Sequence, residues 1–237
     1  MSNAYNRHPA SYRDPAGFIF YRDGQLYRQV NQQFQPDFDL FTGSGAYEQF
    51  VKEGWLLAHQ REENNYTGDP DWYTTLKPAR IPFITYPWEW CFSMLKDAAL
   101  LTLRLARVAL DYNLSLKDAT PLNVQWYQGA PVFIDTLSFE KYQPTRPWIA
   151  YRQFCETFLS PLLLMHYSKQ PLQPLMLAYP DGIPLRVTGR LLPWKTRLNL
   201  PVYLHIHLHS KLSAGAHRSA TSNAPTSFSK QKMINLL

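Results

Sequence analysis

The alternation of apolar and polar residues along the chain predicts two β-hairpins. In residues 17–30 the alternation is interrupted at Asp23-Gly24, a pair typical of two-residue hairpin turns. A second, shorter hairpin is predicted where NVQWY and PVFID flank a turn at Gln128-Gly129. Both stretches are rich in the aromatic and β-branched residues that favour strands.

Helical spacing of apolar residues predicts three helices further along the chain. One begins at about Ala46, and the others span residues 89–112 and 147–167. Residues 63–79 are polar and are predicted to form a loop. Residues 79–90 (ARIPFITYPWEW) have the composition of a strand that ends in a proline-bracketed turn.

Composition limits the class of protein. A chain of 237 residues, 45% hydrophobic and 15% aromatic, can bury one sizeable core or pack a small lobe against a larger one. The amino-terminal residues contain no apolar segment typical of a secretory signal. Charged residues, Lys96 and Asp97 among them, interrupt the most apolar stretch, which excludes it as a membrane crossing. We therefore expect a cytoplasmic protein with no membrane partner.

The net charge of +6 is unevenly distributed. Residues 182–237 contain eight Lys or Arg and no Asp or Glu, whereas the preceding part has sixteen basic and eighteen acidic residues. A basic segment can bind phosphates, but these charges are spread out with little aromatic interleaving, so a solvated tail is the simpler interpretation. Nucleic acid is not an expected partner.

Three polar residues in an otherwise apolar stretch are the main candidates for chemistry. Asp118 precedes Asn123 by five residues, and Asp135 follows an apolar strand twelve residues later. Phosphoryl transfer uses a carboxylate to orient the attacking hydroxyl, and an amide with a second carboxylate to hold Mg²⁺ against the phosphates. Turn and capping roles for the same residue types are the structural alternative.

The order of these residues resembles the protein-kinase-like fold, which includes small-molecule phosphotransferases. The resemblance implies that Asp118 is the catalytic base and that Asn123 and Asp135 bind the metal. It also implies that helix 89–112 leads into the catalytic loop and that ITYPWEW is the hinge between two lobes.

The chain departs from the pattern of an active kinase at several positions. Leu116 replaces the usual His, Thr136-Leu137 replaces Phe-Gly, and the first hairpin has only Gly24 in place of a Gly-rich flap. The strand position that supplies a phosphate-binding Lys in that fold has Arg28, which differs in reach and geometry.

The resemblance also implies an acidic partner for Arg28 on the next helix. Glu48 and Glu53 both satisfy the expected position, and the sequence does not choose between them. Arg28 and Glu48 are therefore the candidate cofactor-binding residues.

A second resemblance covers most of residues 15–210. DATPLNVQWYQGAPVFIDTLSFE, followed by RPWIAYRQFCETFLSPLLLMHY, is similar to the amino-terminal region of bacterial class I SAM-dependent methyltransferases of the nodulation-protein-like type. In that family a separate methyltransferase domain follows, and it is expected to be missing from this chain.

Together these features predict an α+β, two-lobed, kinase-like fold. We expect residues 15–90 to form a small β-rich lobe with the hinge, and residues 91–209 to form a larger helical lobe. Residues 1–14 and the basic tail 210–237 are too polar to bury much surface and are expected to be disordered.

Three functions remain open at the sequence level. The first is an accessory domain that binds a nucleotide or phosphorylated small molecule without turning it over. The second is an active Mg²⁺-dependent small-molecule phosphotransferase, and the third is an interaction scaffold that binds neither. Mg²⁺ and a nucleotide are the expected cofactors, and a methyltransferase domain or another protein is an expected partner. SAM is not expected to bind this chain alone, because no SAM-type glycine motif is visible.

Other motifs favour structural roles. His205, His207 and His209 would share one face of a strand, whereas only His205 and His209 would align on a helix. Three histidines can bind Zn²⁺, but no Cys or nearby acid completes such a site. An amphipathic segment is the simpler interpretation. Cys91 and Cys155 lie in apolar runs, where two buried free thiols are expected.

Overall fold

A five-stranded antiparallel sheet forms the first part of the molecule. In a computed structural model that describes residues 5–9, 11, 14–144, 146–211 and 230–236, the strand order is β1-β2-β3-β5-β4. The strands are β1 (Asn6–Arg7), β2 (Gly17–Arg22), β3 (Gln25–Asn31), β4 (His59–Glu62) and β5 (Trp72–Pro78). Tyr27 and Val30 of β3 lie opposite Phe20 and Gly17 of β2.

Two short helices connect β3 to β4. Helix α1 (Gln35–Gly43) begins with Pro36 in its first turn, and α2 (Ala46–Lys52) follows it closely. Phe38 of α1 packs with residues of the sheet, whereas Phe41 and Phe50 belong to the larger core of the helical part. The helix pair therefore links the sheet to the rest of the fold.

The helical part begins with the longest helix and includes two short strand pairs. Its first elements are α3 (Phe92–Ala109), β6 (Leu114–Leu116), β7 (Val124–Tyr127), β8 (Ala130–Phe133) and β9 (Phe139–Lys141), with β6 paired to β9 and β7 to β8. Leu95, Leu105 and Phe133 are fully buried in one core. The apolar stripe of α3 and the inner side of the hairpin close this core from opposite sides.

Helices complete the fold. They are α4 (Tyr151–Phe154), which continues through a π-helical stretch Cys155–Leu159 into α5 (Ser160–Ser168), then α6 (Leu175–Ala178), α7 (Leu185–Leu191) and α8 (Leu200–Val202), which continues into a π-helical stretch Tyr203–Leu208. No helix among the described residues is long and apolar enough to cross a membrane.

The main predictions of the sequence are confirmed. The fold is α+β, with an antiparallel sheet followed by a helical region. Both hairpins turn where expected, since Asp23, Gly24, Gln128 and Gly129 all have positive φ, as a two-residue hairpin turn of this type requires. Helix α3 and the continuous helical run from Tyr151 to Ser168 lie where helical spacing predicted them.

The predicted strand over residues 79–90 is wrong. This segment is a loop with a single 3-10 turn, Pro87–Glu89, and the strand lies earlier, at Trp72–Pro78, in what was predicted to be a polar loop. The Gln125 side chain binds both the N–H and the C=O of Thr85 at 3.0 Å, so a side chain takes the place of a neighbouring strand.

Helix α1 was missed, and part of the segment 1–14, which was predicted to be disordered, forms contacts with the sheet. Residues 5–9 include β1, where Arg7 lies 4.3 Å from the Phe18 ring centre and Tyr5 packs on Phe18 and Phe20. At the other end, residues 212–229 of the predicted tail lie outside the described residues. Residues Lys230–Leu236 form a helix whose Met233 is buried in the main core.

Gly17 gives a direct test of the sheet. A Cβ added at Gly17 would lie 2.0 Å from the backbone oxygen of Gln29, which cannot move without disturbing β3. We expect Gly17→Ala to reduce the free energy of unfolding by about 1–3 kcal/mol, measured by urea denaturation. Gly43→Ala is the matched control, because an added Cβ there meets nothing within 4 Å. It should be neutral or stabilise by up to about 1 kcal/mol, and equal destabilisation by both changes would contradict the packing described here.

Candidate functional site

The three predicted polar residues lie in the loops around the β7–β8 hairpin. Asp118 follows β6, Asn123 ends a 3-10 turn immediately before β7, and Asp135 follows β8 and caps the 3-10 turn Thr136–Ser138. Because β7 and β8 are antiparallel, the start of one and the end of the other lie side by side. The hairpin thus places Asn123 next to Asp135.

Ser138 joins Asn123 to Asp135. The Asn123 amide donates to Ser138 Oγ at 3.2 Å, and that hydroxyl donates to Asp135 Oδ2 at 2.5 Å. The backbone N–H of Ile134 donates to the Asn123 carbonyl at 2.8 Å. The sequence predicted that Asn123 and Asp135 would converge, and the structure brings them together through this hydroxyl.

Asp118 is held by a glutamine from α4. Gln153 Nε2 donates to Asp118 Oδ1 at 2.5 Å, and Gln153 Oε1 accepts from the N–H of Ala119 at 2.6 Å. Burial raises the pKa of Asp118 above its ordinary value, against the hydrogen bond from Gln153, and the negative charge of Asp135 adds to the rise. Asp118 is therefore a half-buried carboxyl group whose pKa remains raised although Asn123 and Lys117 also act to lower it, and it forms no ion pair with any described residue.

Asp135 is paired with Arg28 of β3. Arg28 Nη1 contacts Asp135 Oδ1, Arg28 Nη2 lies 3.2 Å from Asp14 Oδ2, and the Arg28 and Asp135 side chains are only 16% and 15% exposed. Oδ1 also accepts from the Leu137 N–H at 3.1 Å.

The pKa of Asp135 follows from these contacts. Burial acts to raise it, but the Arg28 charge and the hydrogen bonds from Ser138 and Leu137 outweigh burial and hold the pKa below its ordinary value. Asp135 is therefore ionised at neutral pH and shares its charge with a guanidinium inside the protein.

The predicted pairing of Arg28 with α2 is absent. Glu48 and Glu53 are both exposed, and within the described part of the chain neither forms an ion pair with Arg28. The charge of the guanidinium is already balanced by Asp135 and Asp14, which contact its two terminal nitrogens, so no acid from α2 is needed to neutralise it. The sequence could not indicate this, because Asp14 lies in a segment predicted to be disordered.

His59 is a further, half-buried group beside this ion pair. Its ring packs on Tyr47 at 4.5 Å between centroids, and its Nδ1 lies 3.4 Å from Thr136 Oγ1. Burial, together with the positive charge of Arg28, lowers the pKa of His59 to about 4. The imidazole is therefore neutral at physiological pH.

The side chains around Asp135 do not fit Mg²⁺ in the arrangement observed. Mg²⁺ requires oxygen ligands in near-octahedral geometry, but both oxygens of Asp135 already accept from Arg28, Leu137 and Ser138. The Asn123 amide nitrogen donates to Ser138. Within the described ranges, no three His, Cys, Asp or Glu side chains form a group able to hold a metal ion.

The three histidines of HIHLH are helical and do not share one centre. Tyr151 Oη lies 2.6 Å from His205 Nδ1 and its ring stacks on His209, whereas His207 Nε2 lies 2.9 Å from Thr196 Oγ1. Cys155 is buried as predicted. Cys91 is exposed, because it lies immediately before the first residue of α3 and outside the buried face of that helix.

Sequence reasoning missed Asp14, Ser138, Gln153 and His59. Ser138 and Gln153 are ordinary residues in a turn and a helix, and only the folded chain places them against the acids. For Ser138 one local signal exists, because it follows Asp135 by three residues, the spacing of a side chain that can bind back to a capping carboxylate.

Comparison with known proteins finds one informative relative. The chain is 32% identical over 208 residues, 86% of its length, to the nodulation protein NoeA of Rhizobium meliloti (strain 1021), and it is homologous to that part of NoeA. It spans 43% of the length of NoeA. No protein-family model matches the chain. The structure of amicoumacin kinase hAmiN in complex with AMP-PNP, Ca²⁺ and Ami aligns with a TM-score of 0.40 and 9% identity, covering 98% of this chain and 88% of that one.

The half-buried, neutral His59 predicts a specific dependence of stability on pH. The unfolded chain takes up a proton on this imidazole near its ordinary pKa of 6.5, whereas the folded chain does so only near 4. Stability that is present above pH 6.5 is therefore lost as the pH falls toward 4, by up to roughly 3 kcal/mol. We expect His59→Gln to remove most of this slope in the free energy of unfolding between pH 6.5 and 4.5.

The exposed His166 provides the control for this measurement. His166→Gln should keep the slope of the parent protein. If His59→Gln and the parent lose stability in parallel over this interval, the imidazole is not the group responsible.

Proposed function

We propose that this chain is an accessory domain of a NoeA-like protein and that its kinase-like site binds a ligand without transferring phosphate. The homology with part of NoeA supports the first statement. The observation that carries the second is the buried ion pair between Arg28 and Asp135, which places a guanidinium where phosphoryl transfer would need a metal ion.

A guanidinium cannot replace Mg²⁺ in that reaction. Phosphoryl transfer depends on a divalent ion that bridges the phosphates and neutralises charge developing on them. Arg28 supplies one positive charge, and it is shared between Asp135 and Asp14. Its planar donors form hydrogen bonds to oxygen atoms, but they cannot coordinate two phosphate groups and a nucleophile around one centre as a divalent ion does.

The ion pair instead has a structural consequence. It connects the middle of β3 to the loop after β8, so it fastens the sheet to the hairpin. Breaking a buried pair by removing one partner typically destabilises a protein by about 3–5 kcal/mol, because the other charge is left uncompensated. A contact that contributes this much to stability is expected to keep the sheet and the hairpin in fixed positions, which favours a binding site over one that rearranges during a reaction.

Arg28 remains the candidate contact for a ligand. Its Nε is buried and has no hydrogen-bond partner, and Asp14, which covers Nη2, is 35% exposed. A nucleotide or phosphorylated small molecule could displace Asp14 and accept from these donors, since arginine binds phosphates with paired N–H groups. Such binding would not require a metal ion.

The proposed partner is a methyltransferase domain. The resemblance to the amino-terminal region of nodulation-type methyltransferases supports an arrangement in which this chain binds a ligand and another domain carries out methyl transfer. SAM binding by this chain alone is not part of the proposal, because no SAM-type glycine motif is visible in the sequence.

Active phosphotransfer is the second candidate, favoured by the convergence of Asp118, Asn123 and Asp135. It would require Arg28 to leave Asp135 so that the carboxylate could bind Mg²⁺. On this hypothesis Asp118 orients the proton of the attacking hydroxyl, and Asp118→Asn abolishes ATP consumption while binding of ATP survives.

The two candidates differ in their response to Mg²⁺. Under the proposed function, neither Mg²⁺ alone nor Mg²⁺ added to ATP or GTP raises the melting temperature beyond the effect of the nucleotide alone. Arg28→Gln frees the Asp135 carboxylate, so Mg²⁺ should stabilise this variant, and the double change Arg28→Gln/Asp135→Asn should remove that response. Ligand at a hundred times its Kd stabilises by about 2.7 kcal/mol, which is readily measured by thermal denaturation.

A nucleotide shift in the parent protein that needs Mg²⁺ would contradict the proposal and favour the phosphotransferase. The absence of any nucleotide effect, with Mg²⁺ or without it, would favour an interaction scaffold. Glu48→Gln serves as a control, since this exposed residue does not contact Arg28 and should leave every response unchanged.

A further inference from the structure

A cavity lined by basic side chains lies among residues 186–211, which are distant in sequence from the Asp135 site. It has a volume of about 320 Å³ and is bounded by α7, the 3-10 stretch Trp194–Leu198 and the helical segment after α8. Arg186, Arg190, Arg197 and Lys211 all line it. We name it the arginine cavity.

The four cations reach the cavity from three separate elements. Arg186 and Arg190 are one turn apart on α7, Arg197 comes from the 3-10 stretch, and Lys211 follows the π-helical segment Tyr203–Leu208. Positions four apart on a helix are neighbours, and like charges there repel each other. The fold therefore concentrates positive charge at one place.

Among the described residues, no Asp or Glu side chain pairs with these four cations. All eighteen Asp and Glu residues of the chain belong to its described part, and none forms an ion pair with any of the four cations. Residues 182–237 contain no acid at all, so the stretch 212–229 cannot supply one. Elsewhere the buried arginine, Arg28, has two acidic partners.

A buried histidine forms one wall of the cavity. His207 is 7% exposed, and its Nε2 lies 2.9 Å from Thr196 Oγ1. Thr196 Oγ1 donates its own hydrogen to the Pro193 carbonyl at 2.7 Å, so His207 Nε2 is the donor in that contact. Burial and then the charges of Arg197 and Lys211 lower the pKa of His207, so the cations act on the ring as well.

Gly189 keeps the wall beside His207 open. It lies in α7 between the two arginines, and a Cβ at this position would come within 3.3 Å of His207 Nδ1. Glycine is unfavourable in a helix interior compared with alanine. Here its missing side chain leaves space next to the imidazole on the cavity side.

We propose that the arginine cavity binds a phosphate-bearing anion. Arginine is suited to phosphate because its planar donors form paired, charge-assisted hydrogen bonds. A volume of 320 Å³ is at the lower end of the range typical of small-molecule sites, so one or two phosphate groups with a small substituent fit it. The site is independent of the Arg28–Asp135 pair and of the function proposed for it.

The phosphate could belong to a free small molecule or to a lipid headgroup. Large apolar side chains close to Arg197 in the sequence are exposed, with Trp194 67% exposed, Leu198 78% and Leu200 66%. Basic and apolar residues side by side are typical of surfaces that contact anionic lipids. Both sources present the same chemistry to the arginines, and the experiment separates them.

The first measurement is titration of the full chain with inorganic pyrophosphate by calorimetry at constant ionic strength. We expect binding that weakens at least tenfold in Arg186→Gln and in Arg197→Gln. Lys195→Gln is the matched control, because Lys195 lies in the same 3-10 stretch as Arg197 and is also exposed but does not line the cavity. The control should retain the parent affinity within twofold, and Arg28→Gln should retain it as well.

The second measurement is co-sedimentation with vesicles of phosphatidylcholine containing phosphatidylglycerol. Vesicle binding that is lost in the same two arginine variants, without pyrophosphate binding, identifies a lipid headgroup as the ligand. Pyrophosphate binding without vesicle binding identifies a free phosphate compound. The proposal is overturned if the parent chain binds neither probe, or if Lys195→Gln weakens binding as much as Arg197→Gln does. Melting curves of all variants verify that the changes leave the fold intact.

Discussion

The ion pair between Arg28 and Asp135 is the contact on which the candidate site depends. Without Arg28, Asp135 would be a buried carboxylate near Asp118, and each charge would raise the pKa of the other. With Arg28 in place, Asp135 is ionised and can accept the Ser138 and Leu137 hydrogen bonds that fix the loop after β8. Arg28 belongs to β3 of the five-stranded sheet, and it thus fixes a loop that belongs to the helical part of the molecule.

The position of Arg28 depends in turn on the register of the sheet. Arg28 lies opposite Ile19 on β2 and Leu76 on β5, and the tight turn at Asp23-Gly24 sets the first of these pairings. A shift of one residue would turn Arg28 to the opposite face. The sheet, the hairpin turn and the site are therefore one connected arrangement, although they are distant in sequence.

The parts of this arrangement that local patterns control could be predicted from the sequence. The two hairpin turns, α3 and the convergence of Asn123 on Asp135 follow from turn chemistry and periodicity over a few residues. The partner of Arg28 could not be predicted, because tertiary packing brings Asp135 to it in place of the two expected acids, Glu48 and Glu53. The misplaced strand has the same origin, since Gln125 satisfies the backbone of Thr85 from another element. Asp14 was missed because the polar composition of residues 1–14 predicted disorder, and composition gives no indication of a single long-range ion pair.

The opposite pKa shifts of Asp118 and Asp135 bear on how the site should be interpreted. Pairs of acids whose environments push their pKa values apart often mark acid–base catalysis. The main difference between them is the charge of Arg28, which pairs with Asp135, whereas the hydrogen bond from Gln153 and the weaker effects of Asn123 and Lys117 do not offset the burial of Asp118. Burial, the placement of Arg28 and the local hydrogen bonds are thus sufficient to explain why the two pKa values shift in opposite directions. In the arrangement observed, Arg28, Leu137 and Ser138 together engage both oxygens of Asp135, so a residue of β3 contributes to the charge balance of the site and also occupies one of its carboxylates.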